Sequence, residues 1–303
     1  MSERQRTAGD LPPLTHPDKL CFPKPKITKA GLAAYYRLVA DRMLPHLSGR
    51  LVSLMRCPDG VDGERFFQRH PMPGMAPAIG RVPVTEADGA REEYLRIDDL
   101  AGVQAAVQLG ALELHIWGSH AERLEHPDRL VLDLDPAEGM DFAPVRAAAF
   151  AVRNLLDEHG LTSFPLLTGG RGVHVVAPLA PAPSWSAIAG FARAIADRLS
   201  ENAPDRYTAN SRKAARGGRI FVDWLRNQRG ATAIAPWSTR AKPDAPIAAP
   251  VGWDRLRRIR RADAIGVKTV GKLLQNDPWP GYFRLRQALP EAAVLKRTDG
   301  SMG

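Results

Sequence analysis

Residues 130–136 read LVLDLDP. The apolar residues ask for a buried strand, yet Asp133 and Asp135 interrupt them two positions apart. In an extended chain, residues i and i+2 share a face. The two carboxylates therefore project together, and Leu132 and Leu134 occupy the opposite face. Paired carboxylates repel and are costly to desolvate. Two arrangements meet that cost: an edge strand with both acids in water, or a cation held between them. Hard oxygen donors suit Mg²⁺ or Mn²⁺.

A third acid of the same character lies in RIFVDWLRN (219–227), where Asp223 sits between Val222 and Trp224 in a second strand-like run. A two-metal phosphoryl-transfer site needs about three carboxylates to hold cations roughly 4 Å apart. Taken alone, Asp223 reads as an edge-strand acid paired with a nearby arginine.

Further along, LLTGGRGVHVVAPL (166–179) runs a strand into Thr168, Gly169, Gly170 and Arg171 before a second strand carrying His174. Small residues let backbone N–H groups approach an anion, and Arg171 adds charge. The same residues also describe a plain hairpin with a glycine turn. No Walker lysine follows. Arg240, in RGATAIAPWSTRAKP (229–243), is either a triphosphate contact or a solvated loop arginine. THPDKLCFPKPKITK (15–29) gathers Lys19, Lys24, Lys26 and Lys29 ahead of a helix. Lysines at a helix N-terminus make a phosphate pocket or an ordinary basic loop. In DGERFFQRH (62–70), Phe66 and Phe67 cannot both face one core, so one is a candidate stacking platform for a base. ELHIWG (113–118) puts His115 and Trp117 on one strand face, which a core Trp and a hydrogen-bonded His also explain.

The chain has 303 residues and a formal net charge of +9, from 42 Lys+Arg against 33 Asp+Glu. A basic domain of this size often meets a polyanion, although an Arg- and Ala-rich composition supplies part of the excess. The only cysteines, Cys21 and Cys57, give neither a disulfide framework nor a zinc pattern. No run reaches the roughly 20 apolar residues of a membrane span, and the N-terminus lacks a signal-peptide core. A cytoplasmic protein without a membrane partner is expected.

Periodicity predicts helices over 29–47, 98–109, 142–159, 185–200, 254–262, 269–276 and 282–289. It predicts strands over 51–56, 94–97, 111–117, 129–135, 163–167, 173–178, 220–225 and 231–235. Strands and helices without strict alternation suggest an α+β fold with mixed sheets. One domain is expected over 14–290, with flexible tails at 1–13 and 291–303 and an exposed loop at 74–91.

Together, THPDKLCFPKPKITKAGLAAYY, LMRCPDGVDGERFFQRH, ALELHIWG, LVLDLDP, TGGRGVHVVAPL and RIFVDWLRNQRGATAIAPWSTRAKP resemble the polymerase domain of bacterial DNA ligase D, in the archaeo-eukaryotic primase superfamily. The resemblance implies two facing mixed or antiparallel sheets flanked by helices. It implies addition of ribo- or deoxyribonucleotides to primer 3′ ends at gaps and double-strand breaks in non-homologous end joining. Related alternatives are a stand-alone primase-polymerase and a non-catalytic, basic end-bridging module. By the same resemblance, Asp133, Asp135 and Asp223 bind two Mn²⁺ (or Mg²⁺) ions and carry catalysis. Thr168, Gly169, Gly170, Arg171, His174, Arg240 and His115 hold the nucleoside triphosphate. Lys19, Lys29 and Arg56 meet a DNA 5′-phosphate, Phe66 and Phe67 stack on the template, and Arg81 belongs to an end-pairing loop. Implied partners are DNA with 5′-phosphorylated gaps or 3′ overhangs, nucleoside triphosphates, Ku and a DNA ligase domain. Thr168 stands where many members carry serine, and Met55 stands where some carry a basic residue.

Overall fold

The structure is a computed structural model and describes residues 11–180, 182–212, 214 and 216–290. Most of the tail expected over 1–13, and all of that over 291–303, lies outside the described residues. Within 11–13 the chain is tied down, since Pro12 O accepts a hydrogen bond from Gln104.

The N-terminal elements are β1 (Leu20–Phe22), β2 (Ile27–Thr28), α1 (Lys29–Leu47), β3 (Arg50–Arg56), β4 (Phe66–Gln68), β5 (Gly80–Thr85), β6 (Arg91–Arg96) and α2 (Leu100–Gln108). Then come β7 (Ala111–His120), β8 (Arg129–Asp135), α3 (Phe142–Glu158), β9 (Phe164–Leu167), β10 (Val173–Pro178) and α4 (Trp185–Asn202). Short elements finish the chain: β11 (Tyr207–Thr208), β12 (Ile220–Asp223), β13 (Thr232–Ile234), β14 (Ala249–Pro250), α5 (Trp253–Arg258) and α6 (Gly271–Leu274). The architecture is α+β. It divides into two compact units: Met1–Ile116 with Ile234–Ile247 and Gly266–Val270, and Trp117–Ala233 with Ala248–Ile265 and Gly271–Gly303.

In the first unit, β7, β3, β6 and β5 are neighbours in that order, with β4 on β3. Thr28 caps α1, its hydroxyl accepting from Gly31 N at 3.1 Å. Leu32, Tyr35, Tyr36, Val39 and Met43 recur at helical spacing and are all buried. Two buried tyrosine hydroxyls need partners. Tyr35 donates to Trp237 O at 2.6 Å, and Tyr36 pairs with Thr239 Oγ1 at 3.0 Å. The stretch expected as an exposed loop over 74–91 is corrected here: it contains β5, paired antiparallel with β6 from Gly80↔Arg96 to Thr85↔Arg91. Pro83 marks this as a loop in sequence, but β5 is the sheet's edge strand, where a missing N–H is tolerated.

In the second unit, the strand order is β11-β12-β8-β10-β9-β14, antiparallel except for the parallel β11–β12 pair. Here β8 is interior, so LVLDLDP is not a wet edge. Leu130, Leu132 and Leu134 are fully buried on its apolar face. Helix α3 packs on β8 and β10, and α4 on β8 and β11. Their buried stripes, Val145/Ala148/Ala149/Val152/Leu156 and Ile188/Phe191/Ala192/Ile195/Leu199, follow the helical period. The helix expected over 282–289 is absent: Phe283–Leu285 are in a turn or irregular, and Gln287 is an irregular residue of the second unit. Its backbone carbonyl accepts from Ala180 N, and its amide bonds Thr162 and Pro178. These non-local bonds replace the i→i+4 bonds a helix would offer. Among the described residues no helix is long and apolar enough to cross a membrane.

Candidate active site

The second unit aligns three of the expected residues across neighbouring strands. Asp223 of β12 is registered opposite Asp133 of β8, and His174 of β10 is opposite Asp133 on the other side. Directly opposed residues share a sheet face and lie about 5 Å apart. Asp133 and Asp223 are each 8% exposed, whereas Asp135, at the strand's end, is more open. His174 Nε2 lies 3.5 Å from Asp133 Oδ1, and its Nδ1 is buried without a hydrogen-bond partner.

The sequence reading missed two arginines here. Arg226 Nε lies 3.1 Å from Asp133 Oδ2 and 3.2 Å from Asp223 Oδ2, bridging the opposed carboxylates. Arg216 Nη1 donates to Asp135 Oδ2 at 2.6 Å, with its guanidinium 4.5 Å over the Phe221 ring. Burial pushes the Asp133 carboxyl up, but the charges and hydrogen bonds of His174 and Arg226 outweigh it and hold Asp133 well below the usual carboxylate range. Burial dominates at Asp223 and, with repulsion from Asp133, raises it despite Arg226. The chain places Arg226 by local rules. Leu225 N donates to Asp223 Oδ1 at 3.0 Å, an Asx turn that starts a 3₁₀ turn over Leu225–Asn227. Asn227 then clamps that turn to β8, accepting from Val131 N at 2.8 Å and donating to Val131 O at 2.7 Å. The spacing Asp223-x-x-Arg226 was the available signal.

Three carboxylates, two of them buried and opposed across adjacent strands, match hard divalent cations in donor chemistry and in strand placement. As placed, the side chains are turned to the arginines, and among the described residues no group of three or more His, Cys, Asp or Glu side chains is arranged to hold a metal ion. The guanidiniums of Arg226 and Arg216 supply the counter-charge to these carboxylates.

The glycine turn joins β9 to β10 as an antiparallel hairpin. Thr168 closes it: its hydroxyl donates to Gly172 O at 2.9 Å and accepts from Gly170 N at 3.2 Å. Gly169 has φ +66°, and a Cβ on Gly172 would lie 2.4 Å from Leu134 O, between the two β8 aspartates. The turn can pass this close to the acids only because Gly172 has no side chain. Arg171 at its tip is exposed.

The first unit gathers a separate cluster. Glu113, 5% exposed, receives His115 Nε2 at 2.7 Å and Ala241 N at 2.8 Å, and Arg240 Nε lies 3.0 Å away. Burial acts to raise the Glu113 pKa, but His115, Arg240 and the Ala241 N–H together lower it to about 2. Glu113 was not foreseen, although it lies two residues before His115 and so shares its face. Phe67 packs edge-on to His115 at 5.5 Å, while Phe66 and Phe67 remain 45% and 43% exposed. Lys19 Nζ pairs with Asp59 at 2.9 Å on the surface. Lys29 is buried, its Nζ donating to Thr15 O at 2.9 Å, and its pKa is lowered by burial. Lys29 N donates to Lys19 O at 2.8 Å, so Lys19, just before β1, and Lys29, at the head of α1, are backbone neighbours. Arg56 is committed to packing, with Nε on Leu109 O at 3.0 Å and Nη1 near Gln68 and Met72. Arg81 lies on β5, 3.9 Å from Glu93.

Residues 28–279 match the family described as the LigD primase-polymerase domain. The chain is 36% identical over 303 residues to the multifunctional non-homologous end joining protein LigD of Pseudomonas aeruginosa, covering 99% of this chain and 36% of that protein. It is 30% identical over 281 residues to the bifunctional non-homologous end joining protein LigD of Bacillus subtilis, covering 92% of this chain and 45% of that one. The chain thus spans less than half the length of these relatives. The polymerase domain from Mycobacterium tuberculosis ligase D, solved in complex with DNA, superposes with a TM-score of 0.81 at 31% identity, over 89% of this chain and 96% of that one. Fold, motif order and sequence agree, and the chain belongs to the LigD primase-polymerase domain family.

Proposed function

We propose that this chain is a nucleotidyltransferase that extends primer 3′ ends at gaps and double-strand breaks in bacterial non-homologous end joining. It takes ribo- or deoxyribonucleoside triphosphates and works template-directed. The observation that carries this reading is the cross-strand line Asp223–Asp133–His174 in a chain of this family. Two Mn²⁺ or Mg²⁺ ions, held by Asp133, Asp135 and Asp223, would activate the primer hydroxyl and neutralise the leaving phosphates. The glycine turn Thr168–Gly170 is assigned to the triphosphate, with the exposed Arg171 at its tip supplying the charge. His174 steadies Asp133 from the neighbouring strand, and His115 and Arg240 are assigned to the nucleotide. Lys19 and Lys29 take the DNA 5′-phosphate, with Arg56 supporting the strand beneath. Phe66 and Phe67 stack on a template base, and Arg81 serves end pairing. DNA, Ku and a DNA ligase domain are the partners this role implies.

Primer extension on a gapped duplex with a 5′-phosphate, in Mn²⁺ and in Mg²⁺, tests the reading. Extension that disappears in Asp133→Ala while DNA binding persists supports it. A non-catalytic end-bridging module would add no nucleotide in either protein. A stand-alone primase would make products from single-stranded template and triphosphates alone.

A further inference from the structure

WDRLRRIRRAD (253–263) spans α5 and the turn after it, and sets Arg255, Arg257, Arg258, Arg260 and Arg261 against Asp254 and Asp263. All five arginines are exposed. Leu256 is buried beneath them, while Arg255 and Arg258, three residues apart, share the outward face of the helix. Arg261 pairs with Asp263 at 2.8 Å, and Arg257 comes within 4.0 Å of Asp254. Among the described residues no carboxylate pairs with Arg255, Arg258 or Arg260.

The surface is held in place from α3. Phe150 of α3 and Trp253 of α5 pack with ring centroids 5.2 Å apart, and Trp253 Nε1 donates to Ser163 O at 2.8 Å. Arg257 lies over the Phe150 ring at 5.0 Å, and Arg153 of α3 lies over the Trp253 ring at 5.2 Å. A guanidinium over a ring face keeps N–H groups free for an anion and has less rotamer freedom left to lose. Arg146 Nη1 donates to Ile259 O at 2.6 Å, which ties the segment entering Arg260 and Arg261 to α3. This side of the sheet is not the catalytic one. Pro144 and Ala147 of α3 line a cavity with Ile220 of β12, and strand alternation puts Ile220 on the face opposite Asp223.

We propose that the arginine face of α5 is a second DNA-binding surface, which holds the phosphate backbone of a duplex without regard to sequence. Guanidiniums match phosphate oxygens in geometry as well as charge. An acidic protein partner would need an apolar centre within the charged ring, because protein interfaces are built around one. The exposed large hydrophobic residues, Leu20, Leu38, Phe66, Phe67 and Phe283, include none on α3 or α5. A polar, strongly basic surface is the character of a nucleic-acid interface.

The test is fluorescence anisotropy with a covalently closed dumbbell duplex, which has no gap, no 5′-phosphate and no free 3′ end. The unmutated protein should bind it, with the same affinity for two unrelated sequences. Replacing Arg255, Arg258 and Arg260 together by Gln should weaken binding about tenfold or more. The slope of log affinity against log salt should fall by about 3, one for each phosphate contact removed. Lys at the same three positions should restore most of the affinity, since a backbone contact asks chiefly for charge. Circular dichroism and thermal melting should match the unmutated protein. If the triple variant does not fold, Arg258→Gln carries the test, with a slope change of about 1. Failure to bind the dumbbell, or an unchanged affinity and slope in the glutamine variant, overturns the proposal. So does a lysine variant no better than the glutamine one. Tighter binding of polyglutamate than of the dumbbell, lost in the glutamine variant, would assign the surface to an acidic protein and overturn it too. Because the dumbbell offers no primer end, each of these outcomes is independent of whether Asp133→Ala abolishes extension.

Discussion

Glu113 Oε2 and His115 Nε2 are 2.7 Å apart, two residues along the same strand. Because the carboxylate is ionised at neutral pH, Nε2 must carry the proton and donate it. Arg240 and the Ala241 N–H complete the shell, so a single buried acid orients two residues assigned to the nucleotide.

That shell sets an acid limb. The Glu113 pKa is lowered from 4.5 to about 2, so its contribution is present above about pH 4.5 and is lost as pH falls towards 2. The shift corresponds to about 3 kcal/mol at neutral pH. Urea unfolding measured at intervals between pH 7 and pH 2 should show this loss in the unmutated protein. Glu113→Gln should be less stable at pH 7 and should lose less over the same interval. Parallel acid limbs for the two proteins would contradict the ion-pair account.

Asp133→Asn and Asp223→Asn should each lower single-nucleotide addition by two orders of magnitude or more, on the order of 3 kcal/mol of transition-state stabilisation. Arg226 keeps one carboxylate partner in either variant, so the fold should survive, and circular dichroism with gapped-duplex anisotropy should be nearly unchanged. Activity within about tenfold of the unmutated protein would remove these residues from the chemistry.

Two glycines should respond to alanine in opposite directions. A Cβ at Gly172 meets the Leu134 carbonyl at 2.4 Å, so Gly172→Ala must push the turn away from β8. A cost of about 1–3 kcal/mol is expected, with weaker triphosphate binding. Gly190 lies exposed within α4, where a Cβ meets nothing within 4 Å. Gly190→Ala should stabilise by about 1 kcal/mol and leave nucleotide addition unchanged. Chemical denaturation of both variants measures the sign directly.

What the sequence disclosed follows from how local each signal is. The helix expected over 29–47 and the strand expected over 129–135 coincide with α1 and β8, because long apolar periods and a good N-cap are read from neighbouring residues. Short β4 and edge strand β5 went unrecognised, because pairing with β3 and β6 defines them and Pro83 argues locally against a strand. The three aspartates were legible as a set through their shared strand setting. Their guanidinium partners were not. Arg216 reaches Asp135 across 81 residues of chain, and Arg226 bridges two strands whose register no sequence window contains. Glu113 was hidden differently: it belongs to a strand read correctly, but its partner Arg240 lies well over a hundred residues further on.

Lys19 offers the cleanest test of the 5′-phosphate assignment. Its ammonium pairs with Asp59 on the surface, with both side chains well exposed, so Lys19→Ala should alter stability by less than about 1 kcal/mol. Lys29 cannot serve alone, because it is buried at the head of α1 and holds Thr15 O, so truncating it disturbs the fold as well as the charge. Fluorescence anisotropy with gapped duplexes differing only in the 5′-phosphate separates the two effects. The unmutated protein should prefer the phosphorylated gap, and Lys19→Ala should lose much of that preference while binding the unphosphorylated gap as before. The slope of log affinity against log salt should fall by about 1 for the phosphorylated duplex, as expected when one phosphate contact is removed. Equal affinity of the unmutated protein for both duplexes would withdraw the assignment of Lys19 and Lys29 altogether.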